Sequence, residues 1–182
     1  VPSVGTYYWF QLGQDIDGEA AGDRSGYSVS LSSDGTIVAI GAIYNDGTAG
    51  KAGHVRVYEY GNSSWNQLGQ DIDGEAYGDQ SGTSVSLSSD GTIVAIGATI
   101  WNYNNDTESG HVRVYQYSDD SWTQLGQDID GEAAGDQSGH SVSLSSDGTI
   151  VSIGAPLNDE TSWKSGHVRV YELSTYLEPA PQ

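Results

Sequence analysis

The 182 residues include 25 acidic and 6 basic side chains, for a formal charge of −19, which argues against nucleic acid or an anionic membrane as partner. No cysteine is present, so no disulfide staples the fold. With 25 glycines, 12 tyrosines and 5 tryptophans against 4 prolines, the composition is that of a turn-rich all-β protein, and no segment reads as helix or as a membrane span.

In chain order, a short head leads into an extended segment, Trp9 to Gln14, and then an acidic loop from Asp15 to Asp23. Ser28-Val29-Ser30-Leu31-Ser32 alternates polar and apolar residues with period two; Ser33-Asp34-Gly35 supplies a tight turn, and Thr36 to Ala42 is a more continuous apolar run. That pattern predicts a β-hairpin. A variable loop, Ile43 to Ala52, is followed by a third alternating strand, His54 to Tyr60, and after a further turn by a fourth, Trp65 to Gly69.

The series then recurs: Gln-Leu-Gly-Gln-Asp-Ile-Asp-Gly-Glu-Ala begins at Gln11, Gln67 and Gln124, and Gly-His-Val-Arg-Val-Tyr at Gly53, Gly110 and Gly166. The expected organisation is one repeat domain over residues 1–182, with repeats at about 8–60, 64–117 and 121–173 and a tail at 174–182. Four antiparallel strands per unit predict β-propeller-type blades, three per chain. Such a small sheet, apolar on both faces, needs neighbours to cover it, so Val29, Leu31, Ile37, Val38, Ile40, Val55, Val57 and Leu68 are expected between blades and Trp9, Trp65 and Trp122 packed at the outer strand.

The run Gly-Asp-x-Ser-Gly-x-Ser-Val-Ser-Leu-Ser-x-Asp-Gly-Thr-Ile-Val-Ala-Ile-Gly-Ala resembles the FG-GAP repeat, with Gly154-Ala155-Pro156 and Trp122-Thr123-Gln124 standing where that family has Gly-Ala-Pro and Trp-x-Gln. The resemblance implies blades of the integrin α-subunit type, found in secreted or surface proteins. Serine replaces the family's phenylalanine at Ser25, Ser81 and Ser138, and the family's calcium loop between the first two strands is shortened to Ser-Ser-Asp-Gly, so that calcium site does not carry over. Three blades are too few for a ring. The head segment and the third strand at Gly166 to Glu172 each resemble half a blade, so two chains exchanging ends to close six blades is the expected assembly; an open stack in a larger assembly, or excision from a longer propeller, competes with it. The absence of methionine and the start at Val1 fit a matured or excised product.

Each acidic loop places four carboxylates within nine residues: Asp15, Asp17, Glu19 and Asp23, then Asp71, Asp73, Glu75 and Asp79, then Asp128, Asp130, Glu132 and Asp136. Alternating Asp-x-Asp before glycine suits calcium, a hard ion that takes six to eight oxygens; a turn in which Asp17 or Asp23 accepts backbone hydrogen bonds is the alternative. The variable loops bring Tyr44, Asp46, Trp101, Tyr103, Asp159 and Trp163, aromatic rings beside carboxylates, which suits sugar recognition. Asn62 and Asn105 head glycosylation triplets. His54, His111 and His167 belong to separate blades and read as structural, as do Arg56, Arg113 and Arg169, expected to pair with carboxylates between blades. With no recognisable nucleophile, base and acid, the chain is expected not to be an enzyme. The functional expectation is a non-catalytic extracellular or cell-surface module for adhesion or assembly, oligomeric and calcium-stabilised, with a multivalent lectin binding glycans as the alternative.

Overall fold

The computed structural model describes residues 5–99 and 109–174, and every element in them is β. The first sheet runs β1 (Ser25–Leu31), β2 (Ile37–Ala42), β3 (His54–Gly61) and then an outer strand in two pieces, β4 (Ser64–Gln67) and β5 (Ile72–Asp73), which pair with opposite ends of β3. The break falls after Leu68, whose amide still donates to the Val57 carbonyl; Gly69 then turns the chain at φ 74°. The β1–β2 turn is held by Asp34, whose Oδ1 accepts from the Ser32 hydroxyl and from the amide and hydroxyl of Thr36.

The second sheet repeats the plan with β6 (Ser84–Leu87), β7 (Ile93–Ala98), β8 (His111–Ser118), β9 (Ser121–Gln124) and β10 (Ile129–Asp130). The third has β11 (Ser141–Leu144), β12 (Ile150–Ala155) and β13 (His167–Glu172), and no outer strand among the described residues. The ladders between the named strands are antiparallel. These are propeller-type blades.

The core lies between blades, because each sheet is apolar on both faces. Val55, Val57 and Ile72 of the first blade pack on Val85, Leu87, Val94, Ile96 and Trp122 of the second; Ala95 and Val112 of the second pack on Val151 and Ile153 of the third. Polar contacts repeat with the same register: Ser28 Oγ donates to Gly82 O, and Ser84 Oγ to Gly139 O, both at 2.7 Å. Burying one of these valine, leucine or isoleucine side chains contributes about 1.5–3 kcal/mol.

Two expectations need correction at the ends of the stack. Val29 and Leu31 are 64% and 59% exposed, whereas their counterparts Val85 and Leu87 are buried, because among the described residues no sheet packs on that face of β1. Trp9 is fully exposed, while Trp122 is buried and Trp65 half-buried. At the other end Val168 and Val170 are 69% and 67% exposed, although the equivalent Val55 and Val57 are wholly buried. The head residues 5–24 form no strand, yet Leu12 O accepts from Trp65 Nε1 just as Leu68 O accepts from Trp122 Nε1, so this segment lies where the outer strand of a preceding blade belongs.

Candidate functional site

Each acidic loop crosses from one outer strand to the next inner strand, so its carboxylates meet groups on both. Asp23, Asp79 and Asp136 are buried and close the loops: Asp79 Oδ2 accepts from the amides of Glu75 and Ala76, and Asp23 and Asp136 accept from the amides of Ala20 and Ala133. Asn45 and Asn158 donate to the same Asp23 and Asp136 carboxylates, which ties the variable loop to the acidic loop in the first and third units.

The glutamates serve the arginines of the third strands. Glu19 lies 3.3 Å from Arg56, Glu75 2.7 Å from Arg113, and Glu132 2.6 Å from Arg169. The first aspartates accept from the glutamine four residues earlier, as in Gln67 to Asp71 and Gln124 to Asp128. Arg56 and Arg169 also donate to the carbonyls of Asp17 and Asp130. Thus three of the four carboxylates that the sequence groups together are divided among a loop clasp, an ion pair and a glutamine contact, while the second aspartate of the first and third loops offers its backbone carbonyl. The described sets of three or more groups that do converge are Glu19, His54 and Asp71, and Glu132, Glu160 and His167, each drawing a histidine from a third strand. Glu19 belongs to the acidic loop that precedes His54 and Asp71 to the one that follows it, so their meeting joins two repeats and no local pattern announces it.

In the second blade Arg113 takes both neighbours, binding Asp128 through Nε and Nη2 at 2.9 and 2.8 Å and reaching Glu75 as well. Burial works against the guanidinium charge, but these carboxylates more than offset it and raise its pKa. The hydrogen bonds from Arg113 hold Asp128 at about 2, below its ordinary 3.8. A carboxylate depressed in this way stabilises the fold fully above pH 3.8 and loses that contribution as the pH falls toward about 2. Urea unfolding of the purified chain is therefore expected to weaken through that window, and Asp128→Asn to be weaker at neutral pH with a flatter acid limb.

Tyr44 carries the Arg24 guanidinium 4.2 Å and the Lys51 amine 5.1 Å from its ring centre, and Asp46 accepts from the Lys51 amide. Trp163 is 81% exposed near an exposed Asp159. Trp101, Tyr103 and Asn105 lie outside the described residues. Asn62 sits exposed in the β3–β4 turn.

Residues 16–58 match the FG-GAP repeat family model, so the first unit is a repeat of that kind. A comparison with curated proteins finds no match. Among solved structures, the chain is similar to a protein assigned as a 6-phosphogluconolactonase from Bacteroides uniformis ATCC 8492, at 16% identity and TM-score 0.45, over 81% of this chain and 40% of that one. A prolyl endopeptidase aligns at 14% identity and TM-score 0.45 over 80% and 20%, and a chain of the mitotic checkpoint complex at 14% and 0.42 over 81% and 50%. The chain thus spans at most half the length of these structures. Two of them are described as enzymes, so the expectation that this chain is not an enzyme is withdrawn. No helix among the described residues is long and apolar enough to cross a membrane.

Proposed function

We propose that the chain is an extracellular binding and assembly module whose open blade ends are closed by a second copy of itself. One observation carries this reading. A cavity of about 220 Å³ lies between the second and third blades, lined by Leu125, Gly126, Ile129, Leu144 and Tyr171. One blade earlier the equivalent place is filled by Trp122, which packs so closely on Gly69 that a Cβ there would meet its ring at 2.9 Å. Gly13 meets Trp65 in the same way, whereas a Cβ on Gly126 would meet nothing within 4 Å. The third blade lacks a described outer strand, and the head of the chain, with its exposed Trp9, repeats the outer-strand sequence of Trp65 and Trp122.

Trp9 of the partner subunit fills that cavity in this reading, and its Ile16 and Asp17 pair with Val168 and His167 as Ile72 and Asp73 pair with Val55 and His54. Each copy adds three blades, and known rings contain about four to eight, so two copies and six blades close the circle. The acidic surface and the exposed Asn62 support a place outside the cell. A sugar-binding use of the rim draws support from Trp163, which stands exposed.

Light scattering on the purified chain is expected to give twice its 19.2 kDa mass, and Trp9→Ala to give the mass of one chain. A compact single-chain mass for the unaltered protein defeats the reading.

A further inference from the structure

His54 is 1% exposed, and its Nδ1 has no hydrogen-bond partner among the described residues. Buried polar atoms are rarely left so. Nδ1 faces Asp71 Oδ2 at 3.7 Å, too long for a hydrogen bond and near the ~3.4 Å that separates two ligands held tetrahedrally about 2.1 Å from a zinc ion. Glu19 supplies a third ligand atom, all three lying within 4.8 Å of one another.

The surroundings are arranged around that gap. Gln67 Nε2 donates to Asp71 Oδ1 at 2.6 Å, so the other carboxylate oxygen is the one turned to His54. The side chains of Asp71 and Glu19 are 31% and 48% exposed, which gives an ion, and a water as fourth ligand, a way in from solvent. Arg56 leans on Glu19 and the Asp17 carbonyl and makes no ion pair with Asp71, whereas Arg113 in the second blade grips both the loop glutamate and Asp128. The second-blade guanidinium is therefore bound to the aspartate whose first-blade counterpart, Asp71, has no arginine partner among the described residues. Glu19, Asp71 and Asp73 against Arg56 leave two negative charges around His54, which a dication neutralises.

We propose that His54, Asp71 and Glu19 form a binding site for a divalent cation of the zinc class. An imidazole nitrogen with two carboxylates suits such borderline ions, while calcium prefers six to eight oxygens. Bound there, the ion fastens the first acidic loop to β3 and to the broken outer strand. The inference stands apart from ring closure, since all three residues belong to the first blade and its flanking loops.

The test is calorimetric titration of the chelator-stripped chain with zinc sulfate, carrying His167→Gln to remove the second cluster of Glu132, Glu160 and His167. One equivalent is expected to bind, with a shift of the His54 imidazole nitrogen resonance. Asp71→Asn and Glu19→Gln, both at accessible positions and checked for folding by circular dichroism, are expected to weaken binding more than about tenfold, the lower end of what even an outer partner of a ligand is worth. Glu75→Gln, beside Arg113, leaves it unchanged. No zinc uptake, unaltered affinity in both carboxylate variants, an equal loss in Glu75→Gln, or calcium binding as tight as zinc without movement of the His54 resonance each overturns the site.

Discussion

Alanine at Gly97 is expected to destabilise the chain by about 3 kcal/mol or more, the upper range for forcing atoms into a filled interior. Its backbone does not need glycine's left-handed freedom, so the reason lies in contact: an added Cβ meets the carbonyl of Gly139 in the next blade and the Ser84 hydroxyl that donates to that carbonyl. β7 is paired on both sides, so the strand has no room to yield. The same approach joins Gly41 to Gly82, which explains why the Ile-Gly-Ala and Ser-Gly motifs recur together in every repeat. Gly61→Ala, whose Cβ meets only Asn66 Nδ2 at 4.0 Å, is the control and is expected to change stability by less than about 1 kcal/mol. Urea unfolding of the two variants checks this; similar midpoints contradict the blade packing.

What the residues reveal without coordinates is the strand plan. Period-two alternation in Ser28 to Ser32, the Ser-Asp-Gly turn and the repeated register suffice for three stacked sheets, since these signals are local and occur three times. The fate of each carboxylate is not local. Asp23 and Asp17 lie in one loop, but one is buried against Asn45 and the other offers its backbone carbonyl to Arg56, choices set by residues 22 and 39 positions away. Near-identical repeats also hide differences in environment. Val29 and Val85 share the same flanking residues, yet one is exposed and the other buried, because burial depends on the blade next door rather than on the strand. The same applies to Arg56 and Arg113, equal in sequence context and turned to different partners.

Gly154→Ala is expected to leave the single chain folded but to abolish the proposed two-chain particle. Gly41 and Gly97 each press on the backbone of a following blade, whereas a Cβ on Gly154 meets only Ser141 of its own strand pair, a side chain able to turn aside. Within one copy the substitution is therefore cheap, unlike Gly97→Ala. In the proposed ring the neighbour is Gly26 of the partner subunit, the counterpart of Gly82 and Gly139, and its carbonyl would stand where the new methyl must go. Val168 and Val170, exposed in one copy, are drawn into the same contact and lose their place in it. Light scattering reads the loss of the pair directly, and circular dichroism shows that the β-structure remains. If Gly154→Ala keeps the mass of the unaltered protein, the face is not closed in the way the first two blades are, and Trp9 finds its cover elsewhere.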